Sequence, residues 1–133
     1  MTDCIQLLIV DDQPRARKSL RALLSTWPVS QELGEAANGQ EAVQFVEERQ
    51  PDVVLMDICM PGMDGLQATR LIKARRPQVK VVVLTMYCEY EAEAMAAGAD
   101  AFVGKGEPAD RLLATLSAVI ANQHHRRTTP EEI

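Results

Sequence analysis

Apolar residues along the chain fall into short, nearly unbroken runs, separated by longer stretches in which they recur every three or four positions. The runs are Ile5–Val10 (IQLLIV), Val53–Met56 (VVLM), Val81–Leu84 (VVVL) and Ala101–Val103 (AFV). Continuous hydrophobicity, in place of alternation, predicts parallel strands covered on both faces. The stretches between them have helical spacing. Pro14 stands at a first helical position, with Ala16, Leu20, Leu23 and Leu24 following on one face. Ala42, Val43, Phe45 and Val46 mark a second helix, begun near Asn38-Gly39 and stopped before Pro51. Leu66, Thr69, Leu71 and Ile72 mark a third, ended before Pro77. Glu89 to Ala97 forms a fourth, closed by Gly98, and Leu112, Leu113, Leu116, Val119 and Ile120 form a fifth with Pro108 near its first turn. The polar segment Gln31–Ala36 (QELGEA) fills the gap between the first two helices and is assigned as an edge strand. The tally is strand-then-helix five times. It predicts a doubly wound α/β domain: a parallel sheet, right-handed crossovers and helices on both faces.

Size and composition are consistent with this. A chain of 133 residues, 47% hydrophobic and 25% charged, suits one domain with a real core. No apolar stretch nears the ~20 residues needed to cross a bilayer. The opening MTDCIQ runs directly into a strand and does not read as a signal peptide. A formal charge of −5 argues against nucleic-acid contact by this segment. Cys4, Cys59 and Cys88 have neither disulfide density nor metal-ligand spacing, so reduced thiols in a cytoplasmic protein are expected. The end, NQHHRRTTPEEI, has no apolar period. Residues 1–121 are therefore taken as the domain and 122–133 as a linker or disordered tail.

The chemistry lies where the runs stop. The first ends in Asp11-Asp12, the second in Asp57, the third in Thr85 and the fourth reaches Lys105. Parallel strands place their carboxyl ends along one edge, where ligands of open α/β sheets bind. Three carboxylates, a hydroxyl and an ammonium are thus expected around one pocket. Crowded carboxylates repel unless a cation is present, and an oxygen-only donor set suits a hard ion such as Mg²⁺ (or Mn²⁺). A dication with a lysine opposite is what a phosphoryl group in transfer requires, and a carboxylate beside the metal can accept it. Asp57, alone at the end of a central strand, is the best acceptor; Asp11 and Asp12 are better placed to hold metal.

These residues resemble the receiver domain of two-component response regulators. The matching pieces are LLIVDDQPRARKSL, PDVVLMDICMPGMDG, VVVLTM, GADAFVGKG and the final amphipathic helix, spread in order over residues 5 to 121. The stretch LTMYCEYEAEAMAAGADAFVGKG is most similar to receivers of helix-turn-helix (LuxR-type) transcription regulators. The resemblance implies a flavodoxin-like five-stranded sheet in the order 2-1-3-4-5 and phosphorylation of Asp57 by a sensor histidine kinase. It implies Mg²⁺ on Asp11, Asp12, Asp57 and the backbone carbonyl of Cys59, with Thr85 and Lys105 on the phosphoryl group. Phe102 occupies the place of the switch aromatic, turning inward as Thr85 moves. The face formed by the fourth helix, fifth strand and fifth helix is then repacked for an effector domain or partner protein, or for a homodimer formed on phosphorylation. Transcription control through an effector outside this chain is the expected output, with a stand-alone docking regulator as the alternative.

Departures from the family pattern carry expectations of their own. Gly106 follows Lys105 where a cis-proline is common, so that bond should be trans. Cys59 and Tyr87, two residues beyond the acceptor and the threonine, are bulky enough to hinder an attacking water, which predicts slow autodephosphorylation. Cys59 and Cys88 are otherwise expected as small buried fillers rather than redox sensors, Met56, Met60 and Met63 as packing, and Trp27 as a cap of the first helix against the core. A haloacid-dehalogenase-type phosphatase needs an acid where Cys59 stands, and no GxGxxG or GxxxxGK[ST] supports a nucleotide site.

Overall fold

The structure, a computed structural model, describes the backbone of residues 4–132 and the side chains of residues 4–121. Five strands and five helices alternate: β1 (Ile5–Val10), α1 (Pro14–Leu24), β2 (Gln31–Ala36), α2 (Gly39–Arg49), β3 (Val53–Met56), α3 (Gly65–Arg75), β4 (Lys80–Thr85), α4 (Glu91–Ala96), β5 (Ala101–Gly104) and α5 (Ala109–Glu132). A 3₁₀ turn, Cys88–Tyr90, precedes α4 and takes up the first part of the helix expected from Glu89. The tail expected over residues 122–133 lies outside the described side chains. No helix among the described residues is long and apolar enough to cross a membrane.

All pairings are parallel, in the order β2-β1-β3-β4-β5. This is the doubly wound, flavodoxin-like arrangement, with the polar segment Gln31–Ala36 at an edge as expected. Successive side chains of a strand point to opposite faces, so a strand buried on both sides feeds two cores. Leu8, Val10, Val54, Met56, Val81 and Val83 pack with Ala42, Val46, Leu66, Ile72 and Ala94 under α2, α3 and α4. Ile5, Leu7, Ile9, Val53, Leu55, Val82 and Leu84 pack with Leu24, Leu112, Leu116 and Val119 under α1 and α5. Met56 and Met60 are buried and Met63 packs on the first core, in the filling role expected of them. Trp27, buried just past α1, donates from Nε1 to Ser117 Oγ on α5 at 3.1 Å, tying the two helices of that layer.

Helix ends follow the sequence cues. Asn38 and Asp64 each accept a backbone N–H three residues on, from Glu41 and Gln67, capping α2 and α3. Gly98, at φ +104, closes α4 in a conformation that disfavours a side chain. No peptide bond among the described residues is cis, so Lys105–Gly106 is trans as expected.

Candidate functional site

Three site residues are the first to follow a strand, and in each case the neighbouring strand holds the backbone. Asp11 N–H donates to Ala36 O at 3.1 Å, Asp57 N–H to Val10 O at 3.0 Å, and Lys105 N–H to Thr85 O at 2.8 Å. The ladders therefore run one bond beyond the strands and deliver these side chains to one edge. β1 and β3, which carry Asp11 and Asp57, flank the point where strand order reverses.

The side chains meet there. Carboxylate oxygens of Asp11, Asp12 and Asp57 lie within 4.8 Å of one another. Lys105 Nζ stands 2.7 Å from Asp11 Oδ2 and 3.8 Å from Asp57 Oδ2. Asp11 and Asp57 are buried. Asp11 Oδ1 accepts the Gln13 N–H and Asp57 Oδ1 the Ile58 N–H, each at 2.9 Å. Burial, reinforced by the Asp11 and Asp12 charges and opposed by Lys105, holds the Asp57 carboxyl above its ordinary pKa of 3.8. Three crowded carboxylates with one ammonium leave net negative charge on an all-oxygen donor set, which fits a hard dication.

Thr85 is buried at the end of β4, in register with Gly104, and its hydroxyl accepts the Tyr87 N–H at 3.3 Å. That bond leaves its O–H as a donor. Phe102 is half-buried on β5, packed against the core under α2, α3 and α4, as is Tyr90.

Cys59 and Cys88 are not buried fillers: both thiols are exposed. One sits in the loop after Asp57 and the other in the 3₁₀ turn, and neither position faces a core. At Cys59, desolvation and the nearby Asp57 charge push the thiol pKa up, against the thiolate that redox chemistry needs.

The loop after Asp57 doubles back tightly. Gly65 N–H donates to Ile58 O at 2.9 Å, and a Cβ at Gly65 would lie 1.9 Å from Asp57 O. Only glycine fits there. Three further contacts were not evident in the sequence. Arg17 Nη1 donates to the Asp11 carbonyl at 2.6 Å, Arg17 Nε to Glu35, and the Glu107 carboxylate accepts the Gly104 N–H beside Lys105. The paired arginines of α1, at i and i+4, were the available signal for the first two.

Comparison with known proteins agrees with this geometry. A family profile described as the response regulator receiver domain matches residues 7–117. The response regulator GacA of Pseudomonas aeruginosa is 36% identical over 124 residues, covering 91% of this chain and 58% of that protein. The transcriptional regulatory protein YhcZ of Bacillus subtilis is 39% identical over 113 residues, covering 84% of this chain and 53% of that protein. A crystal structure of a LuxR-family two-component response regulator from Aurantimonas superposes with a TM-score of 0.84 at 30% identity, covering 90% of this chain and 87% of that one. The chain thus spans little more than half the length of these two curated relatives.

Proposed function

The chain belongs to the response regulator receiver family, related to the LuxR-type regulators, and we propose that it accepts a phosphoryl group on Asp57 from the phosphohistidine of a sensor histidine kinase. One observation carries this reading: Asp11-Asp12, Asp57 and Lys105, from three distant points of the chain, share a single rim of the sheet. The ionised Asp57 attacks phosphorus through Oδ2, the oxygen on the Lys105 side. The P–N bond to the kinase imidazole breaks as the P–O bond forms, and the imidazole leaves with the bonding pair and takes up a proton. Asp11, Asp12, Asp57 and the Cys59 carbonyl would hold Mg²⁺ (or Mn²⁺), which would supply positive charge to offset that of the carboxylates and the phosphoryl group. Lys105 pairs with the phosphoryl group, and the Thr85 hydroxyl turns from Tyr87 to donate to it. Movement of Thr85 opens space that the half-buried Phe102 ring enters, repacking the α4–β5–α5 face.

That face passes the signal to an effector domain or partner protein, with transcription as output and the cytoplasm as the site of action. The greater length of the curated relatives favours an effector over stand-alone docking. Residues 1–121 form the receiver unit. Its own chemistry is limited to self-phosphorylation from small donors and slow hydrolysis.

Incubation with Mg²⁺ and a small acyl phosphate, read by intact mass, tests the assignment. One added phosphoryl group on the wild type, absent in Asp57→Asn, is expected. No adduct, or multiple turnover on phosphate esters, would overturn it, the latter in favour of a phosphatase.

A further inference from the structure

The β1–α1 loop is tied down by a residue so far without a role. Arg17, in the first turn of α1, donates from Nη1 to the carbonyl oxygen of Asp11 at 2.6 Å and from Nε to Glu35 Oε1 at 2.8 Å. Its side chain is only 18% exposed. Glu35, next to the last residue of β2, gives its other oxygen to Arg21 Nε one turn further along α1. The two guanidinium groups, Arg21 first, hold the Glu35 carboxyl below its ordinary range. Asp11 is thereby fixed at all three oxygens: the carbonyl by Arg17, Oδ1 by the Gln13 N–H, Oδ2 by Lys105.

We propose that Arg17, oriented by Glu35, is a positioning residue that preorganises the Asp11–Asp12 backbone and so sets the affinity of the acidic pocket for a divalent cation. The inference rests on the reading of Asp11, Asp12 and Asp57 as a dication site. A peptide unit is planar, so holding the Asp11 carbonyl fixes the plane from which Asp12 departs. Only arginine suits the task. Its rigid fork serves an acceptor on the loop and another on β2 at once, whereas a lysine ammonium is a single point on a flexible stem. Arg21 supplies an internal contrast, since it binds the same Glu35 and the Leu33 carbonyl but leaves the loop untouched.

Charge and positioning make opposite demands here. Arg17 is itself a cation near the pocket, so removing its charge alone would tighten cation binding. Weaker binding after Arg17→Ala therefore reports lost positioning. The probe is Mn²⁺, with free ion followed by electron paramagnetic resonance in titrations of the whole chain, and stability measured in parallel by urea. Arg17→Ala is expected to bind Mn²⁺ about tenfold more weakly, the usual scale for losing a group that orients a ligand. Arg17→Lys should fall in the same direction and Arg21→Ala should bind as wild type does. Phosphorylation of Arg17→Ala by a small acyl phosphate should be slow at low Mg²⁺ and recover when Mg²⁺ saturates. Should Arg17→Ala fail to fold, Arg17→Lys decides the matter, with weaker binding expected because it keeps the charge but loses the fork. Unchanged or tighter binding in the deciding variant, or an equal loss in Arg21→Ala, overturns the proposal. A wild type that binds no Mn²⁺ overturns the dication reading itself, a separate and recognisable failure.

Discussion

Replacing Asp57 by Asn removes one charge from a cluster of three carboxylates and one ammonium, and in the absence of metal the variant should be the more stable protein. With donor oxygens within 4.8 Å of one another, each carboxylate pair repels by about 3 kcal/mol at an effective dielectric of about 20. The attraction between Asp57 and Lys105 at 3.8 Å is about 4 kcal/mol on the same basis. The substitution relieves two repulsions and forfeits one attraction. It also weakens the Ile58 N–H bond by about 1 kcal/mol, since an amide oxygen accepts less strongly than a carboxylate. The net gain is on the order of 1–2 kcal/mol, and the desolvation of Asp57 adds to it in the same direction.

The effect has a pH signature. Burial raises the folded-state pKa of Asp57 above 3.8, so the folded protein binds that proton more tightly than the unfolded chain. Wild-type stability from this group is full below the ordinary carboxylate range and is lost as pH rises through the folded value. The Asn advantage is therefore small in acid and complete at neutral pH. Urea unfolding in chelator, compared at pH 7 and in acid, reads it as a midpoint shift of up to about 1 M at neutral pH. Mg²⁺ at ten times its dissociation constant adds about 1.4 kcal/mol to the wild type and narrows the gap. An Asn variant less stable than wild type in chelator at pH 7, or a gap independent of pH, refutes the reasoning.

Leu116→Ala, at a fully buried position on the inner face of α5, should cost about 2–5 kcal/mol in urea unfolding, and a loss under about 1 kcal/mol would show that α5 packs otherwise. Gly65→Ala places a methyl 1.9 Å from the Asp57 carbonyl, so it should destabilise by more than about 1 kcal/mol and slow phosphorylation, both read on the same samples. Lys105→Met removes the ammonium from Asp11, so Mn²⁺ binding should tighten while the phosphorylation rate falls; weaker Mn²⁺ binding would contradict the geometry. Cys59→Asn and Tyr87→Glu should each speed loss of the phosphoryl group by admitting water, followed by intact mass over time, and unchanged decay would dismiss their shielding role.

The strands were legible because burial on both faces writes itself as an unbroken apolar run: Val54 and Met56 serve one core, Val53 and Leu55 the other. Gln31–Ala36 carried no such signal. As an edge strand it is half exposed, and only the gap between the first two helices points to it. Its polarity has a tertiary cause, since Glu35 is the partner of Arg17 and Arg21. That pairing depends on how α1 lies beside β2, which no local pattern encodes. The cysteines failed for the opposite reason. Cysteine is commonly buried, yet Cys59 and Cys88 stand in a loop and a 3₁₀ turn that face solvent.

The position of Lys105 shows how such a pocket is balanced. Its ammonium lies closer to Asp11 than to Asp57, 2.7 against 3.8 Å, so it pairs first with Asp11. On the proposed reading, a cation held by Asp11 and Asp12 would make that pairing redundant and would free Lys105 for Asp57, whose phosphoryl dianion would be the stronger partner. On that reading the lysine and the metal would compete for Asp11 but cooperate once Asp57 carried a phosphoryl group. The proposed positioning by Arg17 follows the same logic: Asp11, buried and held at every oxygen, would exchange one cation for another without moving.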